Sequence, residues 1–149
     1  MAGYKLTIKN AGESIELSTK EQEGKAEIRG IKFKMNTLND STQNRADSVR
    51  CEMTITGFVT PENKEKTKKL AKWSMDSDKK TLYRDVELLV YDAENCTGDV
   101  IRRYEVSSMF VIDYEEIFGE LADRAADSGT YMLFLAQKEG NSKKEVFSS

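Results

Sequence analysis

Apolar and polar residues alternate along several short segments of this chain, which is the pattern of β-strands with one buried face. Near the amino end, Tyr4, Leu6 and Ile8 share one parity, and Ile15 and Leu17 repeat the pattern after a turn. This spacing predicts that the chain opens with a β-hairpin.

Two later segments are apolar on both parities, which predicts strands that are covered on both faces. They are ELLVY at residues 87–91 and YMLFLA at residues 131–136. A sheet whose first face covers its own core buries the second face against a helix, a long loop or another subunit. Together, the segments predict a mainly β fold, either a β-barrel or a two-sheet sandwich with one flanking α-helix. We treat residues 1–149 as a single domain with a loose tail at about 140–149.

A long polar connection separates two of the predicted strands. It spans residues 36–48, whereas a β-hairpin commonly needs only about two to five residues. The connection is rich in Asn, Asp, Ser and Thr, but it lacks the spacing and the closing glutamate of an EF-hand calcium loop. The composition alone therefore leaves an ordinary polar surface loop as one interpretation and predicts no bound cofactor.

One segment, TPENKEKTKKLAKWS, has helical spacing and predicts a helix over about 61–74. Thr60 is suited to cap it, and Pro61 suits the first helical position. Lysines cover most of its surface, and Lys66, Lys68 and Lys69 are candidate contacts to an acidic partner. The alternative is a solvated helix face, which is the usual role of a run of charges.

The chain contains no histidine, which excludes Ser-His and Cys-His nucleophile pairs and the HExxH zinc motif. A carboxylate pair or a Ser-Lys arrangement remains open for a hydrolase, and the acidic segment DYEEIFGELAD nominally supplies carboxylates. We nevertheless predict no catalytic residue, no cofactor and no metal ligand, because no organising motif accompanies these groups.

The charges are nearly balanced, with 23 basic and 26 acidic residues and a formal net charge of -3, so no nucleic-acid binding is expected. No run approaches the roughly 20 apolar residues of a membrane helix, so we expect synthesis in the cytoplasm without membrane insertion.

Cys51 has the parity of its apolar neighbours and Cys96 lies in a turn-like segment. A disulfide between them is disfavoured in that compartment.

Three segments resemble a family of small bacterial proteins that carries the label membrane-associated protease. They are IRGIKFKMNTLNDS, KLAKWSMDSDKKTLYRDVELLVYD and VIRRYEVSSMFVIDYEEIFGE. The order of parts, with a long loop, a capped helix and closing strands, is also similar to that of the haemolysin-coregulated tube proteins of type VI secretion and of phage tail-tube proteins. The resemblance spans about Ile28 to Lys138.

The tube resemblance implies a β-barrel with a flanking helix, copies that close into a hexameric ring, and rings that stack into a hollow conduit. It also implies that the long loop is an arm that reaches across subunits, with these candidate contacts: Thr37, Leu38, Asn39, Asp40, Arg45 and Asp47. Charged contacts between rings or with a sheath are implied for Lys66, Lys68, Lys69, Glu115, Glu116 and Glu120.

The favoured hypothesis is therefore a structural, self-assembling tube subunit of a contractile injection system or phage-tail-like particle, without enzymatic activity. Its partners would be other copies of itself, and a sheath, a baseplate or cargo proteins are further candidates. Such a subunit would be extruded or released after cytoplasmic synthesis. Two alternatives are a monomeric β-barrel adaptor that binds a protein or peptide, and a hydrolase as the family label suggests; the missing histidine argues against the hydrolase.

Overall fold

The computed structural model describes residues 3–10, 13–19, 21–22, 25–37, 49–92, 96, 98–119, 129–138 and 147–148. The strands are β1 (Gly3–Asn10), β2 (Glu13–Ser18), β3 (Glu21–Gln22), β4 (Lys25–Ala26), β5 (Gly30–Thr37), β6 (Val49–Phe58), β7 (Arg84–Tyr91), β8 (Val100–Ile117), β9 (Thr130–Gln137) and β10 (Phe147–Ser148). The helices are α1 (Lys64–Ser74) and α2 (Lys79–Leu82).

One antiparallel sheet contains most of these strands. Its order is β2-β1-β7-β8-β9-β6-β5, with β10 also paired to β8, and β3 and β4 form a separate pair. Strand β8 is 18 residues long. Its first part pairs with β7 as far as Met109, and its second part pairs with β9 from Met109 onward. The sheet therefore turns a corner along β8.

Two local irregularities bend β8 at this corner. Ser108 has a left-handed φ of +55°, and the register with β9 shifts between Val111 and Asp113. A bulge of this kind bends a strand and increases its twist. The two halves of the sheet consequently face each other, and the Phe33 ring on β5 lies 4.3 Å from the Tyr104 ring in the first part of β8.

The hydrophobic core lies between the two facing halves of the sheet. Alternate side chains point into it, as the parity of the sequence predicts. Its buried aliphatic and sulfur-containing strand residues are Leu6, Ile8, Ile15, Leu17, Cys51, Met53, Ile55, Val86, Leu88, Val106, Met109, Leu133 and Leu135. The predicted opening hairpin is present as β1 and β2. The prediction of a mainly β fold is confirmed, in the form of one rolled sheet.

Strand β9 shows how the apolar residues on both parities are used. Leu133 and Leu135 point into the core and are at most 1% exposed. Met132 and Phe134 lie on the opposite face and are half-buried. The described part of the chain thus covers the first face of β9 fully and the second face only in part.

Helix α1 ends at Ser74, as predicted, but begins at Lys64 rather than at Pro61. The reason is a turn in which two side chains exchange hydrogen bonds with the backbone. The Thr60 N–H donates to Asn63 Oδ1 at 2.8 Å, and the Asn63 N–H donates to Thr60 Oγ1 at 3.3 Å. This reciprocal pair has the pattern of a capping box, and it closes the turn at residues 61–63 that leads into α1.

The buried face of α1 packs against β8 and β2. It consists of Thr67, Leu70 and Trp73. The short helix α2 was not predicted from the sequence. Its first turn is capped by Asp78, whose Oδ1 accepts a hydrogen bond from the Lys80 N–H at 3.0 Å.

Two predicted features lie largely outside the described residues. Of the loop at 36–48, only the backbone of residues 36 and 37 is described, as the end of β5. Of the tail at 140–149, only residues 147 and 148 are described, and they pair with β8. The loop and the tail therefore remain predictions.

Candidate assembly interface

The predicted arm emerges from the paired ends of β5 and β6. Thr37, the last residue of β5, is paired with Val49, the first residue of β6. The arm therefore leaves and rejoins the sheet at one position on its edge, because β5 is the terminal strand on that side. The other candidate arm residues lie outside the described part of the chain: Leu38, Asn39, Asp40, Arg45 and Asp47.

Two of the three candidate lysines on α1 form ion pairs within the chain. Lys66 Nζ lies 2.9 Å from Glu27 Oε2, and Lys69 Nζ lies 2.5 Å from Glu13 Oε1. The hydrogen bond and the positive charge of Lys69 lower the pKa of the Glu13 carboxyl. These pairs attach α1 to β2 and to the segment before β5. Lys68 is exposed and forms no ion pair within the described residues.

The acidic candidates Glu115 and Glu116 are exposed on the second part of β8, and Glu120 lies outside the described residues. The Tyr114 hydroxyl donates to Glu116 Oε1 at 2.7 Å and lies 3.3 Å from the Thr67 carbonyl oxygen on α1. Burial, and secondarily the carboxylate of Glu116, raises the pKa of Tyr114. The second part of β8 and helix α1 are therefore neighbours. Lys66 and Lys69 nevertheless form their ion pairs with Glu27 and Glu13.

A second charged surface combines the predicted acidic segment with two lysines that the sequence analysis did not single out as contacts. Strand β5 carries the exposed residues Lys32 and Lys34 along the edge of the sheet. The second part of β8 carries the exposed residues Asp113 and Glu115 on the same half of the sheet. Alternation with Ile31, Phe33 and Met35 indicates that Lys32 and Lys34 face away from the core, but only the pairing order shows that β5 is an edge.

The register places Lys32 and Asp113 in one row across this half-sheet. Lys32 is opposite Thr54, Thr54 is opposite Phe134, and Phe134 is opposite Asp113. Neighbouring strands are about 4.8 Å apart, so the two charged residues are separated by roughly 14 Å. The outer face therefore runs from a cationic edge through the half-buried ring of Phe134 to an acidic strand.

Two cavities lined by described side chains differ in chemistry, and one of them has a charged and polar lining: Lys9, Asp85, Val86, Glu87, Glu105, Val106 and Ser107. The other and larger one, about 300 Å³, is lined by Arg29, Thr56, Gly57, Ile117, Thr130, Tyr131 and Met132. It contains no nucleophile beside a base, which catalysis of group transfer would require.

No set of three or more Cys, Asp or Glu residues in the described ranges is placed to hold a metal ion. Neither of the two helices α1 and α2 among the described residues has the length and apolar character needed to span a membrane.

Both cysteines are free thiols. Cys51 is buried in the core, as its parity predicts, and burial raises the pKa of its thiol to about 11. Cys96 Sγ donates to the Tyr4 carbonyl oxygen at 3.3 Å and lies 3.6 Å from Thr19 Oγ1. Cys96 thus fastens the connection between β7 and β8 to the start of β1.

The fold is that of the Hcp proteins. Hcp1 from Salmonella typhimurium superposes with a TM-score of 0.55 at 11% identity, over 91% of this chain and 81% of that one. The secreted protein Hcp3 from Pseudomonas aeruginosa gives a TM-score of 0.55 at 10% identity, over 100% and 98% of the two chains. Hcp1 from Flavobacterium johnsoniae gives 0.50 at 10% identity, over 93% and 94%.

No family model and no curated protein sequence matches this chain. The protease label of the small bacterial family therefore finds no support in these comparisons. The structural likeness agrees with the second resemblance seen in the sequence, to the haemolysin-coregulated tube proteins. At these identities it establishes the fold of the chain.

Proposed function

We propose that this protein is a structural tube subunit, without enzymatic activity, whose copies assemble side by side into a ring. Rings would stack into the tube of a contractile injection system or phage-tail-like particle. The observation that carries the proposal is the Hcp fold, which extends over 100% of this chain and 98% of Hcp3. The order of sequence segments supports the same function independently.

The surface of the subunit also supports assembly. Met35 on β5 and Ile112 on β8 are 45% and 54% exposed, and Met132 and Phe134 are incompletely covered on the outer face. Exposed apolar groups and sheet edges that no described strand covers favour association with another chain. A head-to-tail contact repeated by rotation closes into a ring, which lets each copy cover its neighbour.

A hexamer is the ring size that the tube resemblance implies. The further partners of such a tube would be a sheath, a baseplate or cargo proteins. The protein would be made in the cytoplasm and extruded or released within the particle. Lys68, Glu115 and Glu116 are exposed and available for contacts with other copies or with a sheath, whereas Lys66 and Lys69 would first have to leave their partners in the chain.

The proposal is tested by the size and shape of the purified protein. We expect sedimentation velocity at increasing concentration to reveal a discrete species several times heavier than the 16.9 kDa chain. Negative-stain electron microscopy of that species should show rings or short tubes. A protein that sediments as a monomer at every concentration, with uniform small particles on the grid, would contradict the proposal and favour the adaptor alternative.

The arm gives a separate prediction. Replacing residues 38–47 with a short Gly-Ser turn should change the free energy of unfolding by less than about 1 kcal/mol, because loop length has a weak effect on chain entropy. The same change should raise the concentration needed for assembly at least about tenfold, which corresponds to roughly 1.4 kcal/mol. Urea unfolding and sedimentation velocity measure the two effects.

A Gly-Ser arm of unchanged length is the matched control, since it separates the side chains of the arm from its reach. Loss of cooperative unfolding in the shortened variant would place the arm in the monomer core. Assembly at the wild-type concentration in both variants would show that residues 38–47 form an ordinary surface loop.

A further inference from the structure

One half of the main sheet has two edges. This half consists of β5, β6, β9 and the second part of β8. Strand β5 is terminal in the sheet that the described residues form. On the opposite side, residues 110–117 of β8 pair with β9 alone, because the described pairing with β7 stops at Met109. Three antiparallel pairings separate the two edge strands, so β5 and β8 run in opposite directions. Copies placed side by side in one orientation therefore bring antiparallel edges together.

The two edges carry opposite charges that are not neutralised within the described chain. Lys32 is exposed and has no ion pair among the described residues. Glu115 is exposed as well, and the Asp113 carboxylate accepts one local hydrogen bond, from the Tyr114 N–H at 3.0 Å. Lys34 differs from Lys32, because it is directly opposite Glu52. Among the described residues, Lys32 therefore has neither an ion pair nor a carboxylate directly opposite it.

A head-to-tail contact requires that opposite sides of one subunit complement each other. The half-sheet meets this requirement, with a cation at the β5 edge and carboxylates at the β8 edge. Neighbouring copies in a closed ring are related by rotation without translation along the ring axis. When the strands run along that axis, two residues in the same row of the sheet, one on each edge, lie at the same height in neighbouring copies. Lys32 and Asp113 share such a row. Glu115 lies two residues further along β8, on the same face as Asp113.

We propose that Lys32 of one copy pairs with Asp113 and Glu115 of the next copy, and that this contact sets the orientation in which copies join. The inference rests on the proposed ring. Complementary charges across an interface contribute mainly to the choice of partner and orientation, whereas like charges in the same place oppose binding. The pairing is therefore best tested by reversing charges rather than by removing them.

Four variants test the contact by sedimentation velocity at about 0.1 M salt, where the Debye length is about 10 Å. Lys32→Glu and Asp113→Lys should each raise the concentration for half-assembly at least about tenfold, because each places like charges together. The double variant Lys32→Glu with Asp113→Lys, which exchanges the charges, should return this concentration to within about threefold of wild type. Glu115→Lys should resemble Asp113→Lys and does not disturb the hydrogen bond to the Tyr114 N–H.

Mixing the two single variants provides a second route to restoration. Each contact in an alternating ring joins a residue of one variant to the opposite charge of the other, so the mixture should assemble where either variant alone does not. Lys80→Glu is the matched control, because it makes the same change of charge at an exposed residue of α2. It should leave assembly unchanged. Urea unfolding of every variant checks that the monomer is intact.

The outcomes separate this contact from the proposed function. A wild-type protein that never assembles overturns both the ring and the contact. Wild-type rings with single variants that assemble at the wild-type concentration overturn the contact and leave the ring intact. Single variants that weaken assembly, with no restoration in the double variant or in the mixture, show that the residues act separately and also overturn the contact.

Discussion

Replacing Trp73 with alanine is expected to lower the free energy of unfolding by about 4 kcal/mol, the usual cost of removing a large buried aromatic side chain. Trp73 is 0% exposed and joins α1 to the core. Its Nε1–H donates to the Leu82 carbonyl oxygen at 2.8 Å, and the Arg84 guanidinium lies 4.9 Å from the ring centroid. Alanine leaves a cavity, an unpaired carbonyl oxygen and a cation without its aromatic partner.

The loss would be a large fraction of the stability of a domain of this size, which is commonly about 5–15 kcal/mol. Because Trp73 is the only tryptophan in the chain, urea unfolding has to be followed by circular dichroism instead of fluorescence. Trp73→Phe keeps a ring in the core but removes the donor to Leu82, so it should cost about 1–2 kcal/mol.

Met75→Ala is the control for Trp73→Ala. Met75 follows α1 and is 76% exposed, so truncating it should change the free energy of unfolding by no more than about 0.5 kcal/mol. If Trp73→Ala proved as mild as Met75→Ala, α1 would not be anchored in the core by Trp73. A Trp73→Ala variant that fails to fold at all is the extreme form of the expected result.

Much of the strand content follows from local sequence alone. Side chains on a strand alternate between two faces whatever the strand pairs with. Leu6 and Ile8 on β1, and Ile15 and Leu17 on β2, are therefore buried where their parity predicts. The same reasoning predicts that Cys51 belongs to the core, where it lies.

The order in which the strands pair is not a local property, and the sequence pattern does not contain it. Strand β1 pairs with β7, so that Gly3 is opposite Tyr91. Alternation shows that Lys32 points away from the core, but it does not show that β5 is an edge strand. Nor does it show that Lys32 and Asp113 share a row, which depends on three pairings between distant segments.

Local sequence likewise did not reveal the ion-pair partners of the candidate lysines on α1. Helical spacing predicts that Lys66 and Lys69 lie off the apolar face of the helix. It does not reveal that Glu27 and Glu13, from segments far away in the sequence, lie within 2.9 Å and 2.5 Å of them. Ion pairs of this kind form only after the sheet has placed its strands.

Gly57→Ala is the second substitution expected to have a large effect. Gly57 lies on β6 where another segment of the chain crosses it closely. The Arg29 N–H donates to the Thr56 carbonyl oxygen at 2.6 Å, and the Tyr131 hydroxyl donates to the Glu27 carbonyl oxygen at 2.5 Å. A Cβ atom on Gly57 would overlap the Glu27 carbonyl oxygen and would lie 2.6 Å from the Tyr131 ring.

Neither neighbour of Gly57 is free to move away. The Glu27 oxygen belongs to the backbone, and Tyr131 is 1% exposed and packed in the core. Overpacking of a rigid site commonly costs about 1–3 kcal/mol, and we expect Gly57→Ala to lie at the upper end, near 3 kcal/mol. The crossing segment would have to separate from β6, so the hydrogen bond from Tyr131 to Glu27 should weaken as well.

Gly30→Ala is the matched control, because Gly30 is also a strand glycine and pairs with Thr56, the residue before Gly57. The nearest atom to a Cβ on Gly30 is Thr56 Oγ1 at 3.5 Å, an ordinary contact. Alanine there should be neutral or should stabilise the fold by up to about 1 kcal/mol, since it restricts the unfolded chain. The free energy of unfolding measured with urea should therefore fall clearly in Gly57→Ala, whereas in Gly30→Ala it should stay the same or rise. Equal effects at Gly57 and Gly30 would mean that the segment from Glu27 to Arg29 does not lie against β6 as described.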